Sequence, residues 1–445
     1  MTDHATIAQR LAGILGVEEV ILHPLTSGTS RQTFLVTAGS DELVLQQRQE
    51  GDGREALPTA SEAALLRAAE AGGVPVPHLV ADDPTTASLG QPYILAGRVA
   101  GESIPRRILR DPALGNVLAG MASRCGEVVA RLQQIDPAAL PELDYDDALT
   151  SLRHQADDVG LVRPVLELAF SWLEQRRPPP PEAMVVVHGD FRLGNLLIDA
   201  TGLTAVLDWE MAHLGDPLED LGWLCVPSWR FGAELPVGGF GTYQQLFDGY
   251  RSVTGGPPVD PVRFRWWQVF GTLRWGVICA QQVETFLAGR VRSHELAVIG
   301  RRIAETERDL LVLTGPSRAG ADPADARPVD RVSPVVFDTP NATDLLDALD
   351  GWLAATEFEG ATRYQARVAR HIVAILSREA DLGPDLLEER AAALARLGFA
   401  READLARAIR SGAVGDHDPV RVALRQITDG RLAVNDPRYR GEPDP

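Results

Sequence analysis

The chain has 445 residues, 45% of them hydrophobic and 24% charged, with a formal net charge of −19. That length leaves room for two or three domains with ample cores, and the composition is that of an ordinary soluble globular protein. The negative balance excludes a general nucleic-acid binder, which needs a basic face for phosphates, and favours cationic ligands only weakly.

All 43 basic side chains are arginine; lysine is absent. A GC-rich gene is the plain cause. The consequence is chemical: any site that ordinarily uses a lysine point charge must use arginine or do without, and the two differ in geometry. Cys125, Cys225 and Cys279 lie far apart with no CxxC pair, the pattern of buried thiols rather than of a disulfide frame or zinc site. The polar stretch Met1–Arg10 has no apolar signal core, and no apolar run reaches the ~18 residues of a membrane span. A cytoplasmic protein without a membrane partner is therefore expected.

In chain order, residues 6–16 suit a short amphipathic helix. From about Val20 to Arg98 strand patterns dominate. Ile21-Leu22 leads through the turn-prone Thr26–Ser30 into Thr33–Thr37, and Asp41-Glu42 turns into Leu43-Val44-Leu45. A helix is expected over Thr59–Ala71, with Leu65, Leu66 and Ala69 on one face and Glu62 in its first turn. Tyr93-Ile94-Leu95 reads as a further strand. Residues 1–98 thus predict a small, mostly antiparallel sheet with one helix.

Residues 99–315 are mainly helical in pattern, apart from three buried-strand signals at Met184–Val187, Leu196–Ile198 and Ala205–Leu207. Phe264–Gln282, with Trp266, Trp267 and Trp275, reads as a core helix. Residues 316–340 are rich in Pro, Ala and Asp and read as a linker. Helical stripes return over 341–445. The expectation is an α+β chain ending in an all-α domain.

The chemistry concentrates at Val187-His188-Gly189-Asp190-Phe191-Arg192-Leu193-Gly194-Asn195 and at Val206-Leu207-Asp208-Trp209-Glu210. Asp190 follows one apolar strand, Asn195 stands at the mouth of the next, and Asp208 ends the third. A hairpin between the first two lets the Asp190 and Asn195 side chains meet. A carboxylate beside an amide oxygen is a hard donor pair suited to Mg²⁺, and Asp208 would supply the main metal carboxylate. Asp190 is then left to accept a hydroxyl proton, and Arg192 could reach a transferring phosphoryl group. An Asp-Asn pair around a turn is by itself usually only a turn; its joint occurrence with a strand-final aspartate points to phosphoryl transfer.

These residues resemble the aminoglycoside phosphotransferase and choline kinase superfamily, small-molecule relatives of the protein kinases. His188-Gly189-Asp190 with Asn195 is similar to that family's catalytic loop, and Asp208-Trp209-Glu210 stands where protein kinases carry Asp-Phe-Gly. Gly215–Trp223 is similar to the segment that follows, in which an aspartate, here Asp220, braces the loop. The resemblance covers about residues 20–315 and is nearest to the branch related to kinase-like domains fused to acyl-CoA dehydrogenases. It implies a bilobal protein-kinase-like fold, Mg²⁺, and ATP or GTP as donor to a hydroxyl of a small molecule. It also implies that Ser27, Gly28, Thr29 and Ser30 cover the phosphates and that Tyr93–Arg98 offers backbone groups to the base.

One departure stands out. The family's third strand usually ends in a lysine that grips the α and β phosphates, and here Gln46 holds that place. Arg48 lies two residues on, on the same strand face. The expectation is that Arg48 pairs with Glu62 and supplies the charge. The missing lysine also motivates the rival reading, a nucleotide-binding pseudokinase scaffold. Acceptors of two classes remain open, a cationic amino sugar and a hydroxyacyl-CoA thioester. The C-terminal helices resemble a helical domain of unknown function, a candidate surface for a homodimer or an acyl-CoA dehydrogenase partner.

Overall fold

The computed structural model describes residues 4–25, 31–48, 57–140, 143, 145–291, 293–315, 342–439 and 441–442. It divides into two compact units, Met1–Asp146 with Pro178–Gln268, and Asp147–Arg177 with Val269–Pro445.

In the first unit, helix α1 (His4–Leu15) precedes a five-stranded sheet. Its strands are β1 (Val20–Pro24), β2 (Arg31–Ala38), β3 (Asp41–Arg48), β4 (Leu79–Asp83) and β5 (Tyr93–Gly97), in the order β1-β2-β3-β5-β4. Every neighbouring pair is antiparallel. Gly39, at a φ of 63°, makes the two-residue turn that joins β2 to β3. The pairings Phe34↔Leu45 and Val36↔Leu43 put those four side chains on one face, where they form a core with Ile7 and Leu11 of α1. The next residues along each strand project to the other face, so Arg31 and Thr33 lie opposite Arg48 and Gln46. Helix α2 spans Thr59–Ala71 and buries Glu62, Leu65, Leu66 and Ala69.

The three central strand signals behave differently from expectation. β6 (Val185–Val187) pairs with β9 (His213–Gly215), and β7 (Leu196–Asp199) pairs with β8 (Gly202–Val206). The strands flanking the His-Gly-Asp loop therefore belong to separate two-stranded ladders. Asp190 and Asn195 are brought together by a tight 3₁₀ turn, Leu193–Asn195, rather than by a hairpin.

The second unit is helical. Helix Glu402–Arg410 packs on Pro164–Gln175, and Asp418–Asn435 packs on Ile303–Leu313 and on Gly360–Arg396. The C-terminal helices thus share one core with segments placed before the 316–340 stretch, which itself lies outside the described residues. Glu307, fully buried, lies between Arg431 at 2.8 Å and Arg163 at 3.5 Å. Arg431 also meets Glu402, which Arg390 approaches at 2.6 Å. Buried Arg421 donates to the carbonyls of Leu311 (3.1 Å) and Thr314 (2.9 Å), the unsatisfied groups at the end of helix Ile303–Leu313.

The three cysteines are buried free thiols, and burial pushes Cys125 up to about 12. Among the described residues no helix is long and apolar enough to cross a membrane.

Candidate active site

β6 delivers the chain into His188-Gly189-Asp190, and four hydrogen bonds hold that turn. The Asp220 carboxylate accepts the backbone N–H of His188 at 2.8 Å and of Gly189 at 3.0 Å. The His188 ring spans the loop: Nδ1 accepts from the Asp190 N–H at 3.1 Å, while Nε2 lies 3.1 Å from the Leu207 carbonyl. These partners assign a neutral ring protonated at Nε2. Gly189 sits at a φ of 79°, and a Cβ there would come within 2.3 Å of the Met211 carbonyl oxygen; only glycine fits.

Burial lowers the His188 pKa to about 4, with the Asp190 charge opposing that fall. The unfolded chain takes up this proton near its ordinary value of about 6.5. Folding is therefore opposed progressively as pH drops from there towards 4, and no further below it. The expected result is a His188 ring resonance that does not titrate between pH 8 and 5 in NMR; a midpoint near 6.5 would contradict the assigned contacts.

Three donors orient the Asp190 carboxylate. Arg192 Nε donates to both oxygens at 3.0 and 3.1 Å, Asn195 Nδ2 to Oδ2 at 2.7 Å, and the indole of Trp223 to Oδ1 at 2.8 Å. The Arg192 guanidinium also lies 5.0 Å from the Trp229 ring centre, a cation–π distance. Trp223 escaped the sequence reading. Its only signal is its place three residues after Asp220, one helical turn along helix Glu219–Leu224.

Asp208 lies two residues past the end of β8, with a left-handed φ of 68° that a non-glycine residue adopts at a cost. Its side chain is open to solvent and accepts no hydrogen bond from a described residue. Protein nevertheless surrounds it closely. That desolvation, followed by the charges of Glu210 and Asp190, pushes its pKa up to about 7 against Arg31 and Arg192. Asp190, Asp208 and Glu210 therefore share one electrostatic neighbourhood with two arginines.

Glu62 is not joined to Arg48. Its carboxylate meets Arg31 Nη1 at 2.8 Å, and Arg31 Nε lies 3.2 Å from Glu210. The expected Arg48–Glu62 pair is thus replaced by an Arg31–Glu62 pair. The reason lies in the register: Arg31 and Arg48 are cross-strand partners on one face, and Arg48 instead donates to the Leu57 carbonyl at 3.3 Å. Burial alone would lower the Arg31 pKa, but Glu62, then Glu210 and Asp208, hold it above its ordinary value. Arg31, Gln46, Arg48 and Glu62 line one narrow cavity beneath the sheet.

Ser27, Gly28, Thr29 and Ser30 lie outside the described residues. Tyr93–Gly97 is an inner strand paired on both sides, and the N–H groups of Gly97 and Arg98 donate to His78 O (2.8 Å) and Glu42 O (3.0 Å). Those two N–H groups are therefore engaged within the protein. Among the described residues, no group of three or more His, Cys, Asp or Glu side chains is arranged to hold a metal ion.

Comparison with known proteins bears on this geometry. Residues 21–255 match the model of the phosphotransferase enzyme family (APH), and residues 356–439 match a domain of unknown function (DUF6285). The chain is 25% identical over 316 residues to acyl-CoA dehydrogenase family member 10 of Mus musculus, covering 64% of this chain and 28% of that protein. It is 28% identical over 234 residues to family member 11 of Gallus gallus, covering 48% of this chain and 28% of that protein. The aligned part is thus under a third of the length of these relatives. A crystal structure from Ralstonia eutropha JMP134, provisionally named an aminoglycoside phosphotransferase, superposes with a TM-score of 0.53. Its identity is 21%, with 68% of this chain and 96% of that chain covered, a likeness of fold. The antiparallel sheet, the His-Gly-Asp loop tied to Asp220 and a family match over more than half the residues agree: the chain belongs to the phosphotransferase enzyme family and has its kinase-like fold.

Proposed function

We propose that the protein transfers the γ-phosphoryl group of ATP or GTP to a hydroxyl of a small molecule, in a reaction that depends on Mg²⁺. The observation that carries this reading is the solvent-open Asp208 carboxylate, without a hydrogen bond among the described residues and within the field of Asp190, whose own orientation is set by three donors. Asp190 accepts the hydroxyl proton, and the fixed carboxylate geometry presents the acceptor oxygen to the phosphorus. Arg192 engages Asp190 through Nε, which leaves its two amino nitrogens to meet charge developing on the transferring group.

The donor set suits a divalent cation. Asp208 contributes a carboxylate, and Asn195, whose amide nitrogen is spent on Asp190, keeps its amide oxygen. Both are hard oxygen donors, and the crowding of three carboxylates favours added positive charge. When bound, Mg²⁺ would screen the phosphate charge.

For the acceptor, the acyl-CoA dehydrogenase relatives favour a hydroxyacyl-CoA thioester over an amino sugar. A screen of hydroxyacyl-CoAs, aminoglycosides and simple alcohols, each with ATP and with GTP, would follow nucleoside diphosphate release. Turnover with one class identifies the acceptor. Binding of MgADP without turnover on any alcohol would favour the scaffold reading, and silence from every hydroxyacyl-CoA would discard that class. On the same reading, residues 341–445 would serve as the surface for a homodimer or an acyl-CoA dehydrogenase partner.

A further inference from the structure

Gln46 of β3 stands where the family places a phosphate-gripping lysine, and a neutral amide cannot take that part. The carboxylate that would pair with such a lysine is nonetheless present and occupied. Glu62, buried on α2, is engaged by Arg31 of β2 at 2.8 Å. The same guanidinium reaches Glu210 at 3.2 Å, two residues past Asp208. Two of its three nitrogens are thus committed, Nη1 and Nε, and Nη2 makes no hydrogen bond to a described residue. The side chain lines the narrow cavity shared with Gln46 and Arg48. In the sequence Arg31 directly follows Ser30.

From this arrangement, and resting on the kinase reading above, we propose that Arg31 is the phosphate-anchoring cation of this enzyme. Reaching from the second strand, it takes over the part that a third-strand lysine plays elsewhere in the family. A guanidinium can do what an ammonium cannot. Its fork binds two carboxylates along separate edges and still presents a donor, so one side chain can tie α2 to the Asp208-Trp209-Glu210 segment and meet a phosphate oxygen through Nη2. It also offsets part of the negative charge of Glu62 and Glu210, which would repel a triphosphate. A chain without lysine has this solution available only through arginine. Placing the cation on β2 rather than β3 keeps it on the same sheet face, because register sets Arg31 beside Arg48 and Thr33 beside Gln46.

The test measures MgADP affinity by calorimetry, and KM for MgATP and kcat in nucleotide turnover, on the full chain. Arg31→Gln, Arg31→Lys and Arg48→Gln are compared with the parent, with melting temperature as a check on folding. Loss of one charge-assisted phosphate contact should weaken MgADP binding of Arg31→Gln by about tenfold to a hundredfold. Arg31→Lys should recover part of the affinity but less of kcat, since one ammonium cannot hold both carboxylates and a phosphate. Arg48→Gln should change affinity less than Arg31→Gln. If Arg31→Gln does not fold, the Arg31→Lys split between affinity and kcat decides. Parental affinity in a folded Arg31→Gln, an Arg31→Lys equal to the parent in both constants, or a larger loss in Arg48→Gln would each overturn the proposal while leaving the kinase reading intact. A parent chain that binds no nucleotide would sink both.

Discussion

Turnover of Asp190→Asn should fall by about a thousandfold, while MgADP affinity stays within a few-fold of the parent. The substitution preserves shape and removes the proton acceptor. It also disturbs the local bonds in a definite way. Oδ1 accepts from Arg192 and Trp223, and Oδ2 accepts from Arg192 and Asn195, so an amide nitrogen on either side faces a donor. A stability loss of about 1–3 kcal/mol should accompany the kinetic effect. Steady-state kinetics with the acceptor found by the screen, together with calorimetry on MgADP, separate the two consequences. Turnover within tenfold of the parent would remove Asp190 from the role of base. A parallel collapse of nucleotide affinity would show that the loop, rather than the proton transfer, had been lost.

The second large effect concerns the C-terminal helices. A chain ending at Gly315 should fail to give a folded second unit. It would remove Arg431 from Glu307, Arg421 from the carbonyls of Leu311 and Thr314, and Arg410 from Asp157, which it meets at 2.6 Å. The buried Asp309 would lose the Tyr439 hydroxyl, 2.5 Å away. Helices Pro164–Gln175 and Ile303–Leu313 would at the same time lose the neighbours Glu402–Arg410 and Asp418–Asn435 that cover their apolar faces. A single substitution tests the same point more gently. Glu307→Ala leaves Arg163 and Arg431 without a shared carboxylate and should cost about 3–5 kcal/mol, lowering the melting temperature by about 10 °C. A chain ended at Gly315 that melts cooperatively at the parental temperature would show that the helices before and after residues 316–341 are independent.

Much of the local structure was legible because its signals are local. The helix expected at Thr59–Ala71 is observed at those bounds, since its apolar spacing and first-turn glutamate both lie within the segment. Strands around Thr33–Thr37, Leu43–Leu45 and Tyr93–Leu95 were legible from alternation and extend by up to three residues at an end once paired. β4 and β9 were not expected. β4 is an edge strand with an irregular register near Leu79 and no clear alternation, and β9 is three residues long and held by the partner it finds in β6. Such strands exist through pairing rather than through propensity.

What the residue order determined by itself was the inventory. A His-Gly-Asp turn, an asparagine five residues on, an aspartate after the next strand pair and the absence of lysine are all readable without coordinates, because each is a matter of identity and spacing. Which charges meet was decided only by the tertiary structure. The antiparallel register brings Arg31, 17 positions before Arg48, onto the same sheet face, where it reaches Glu62 and Glu210. The helices after residue 341 share a core with those before 316 for a related reason: their apolar faces and buried carboxylates find partners more than a hundred residues away. Periodicity along a chain shows that a face must be covered; it carries no information about which distant segment covers it.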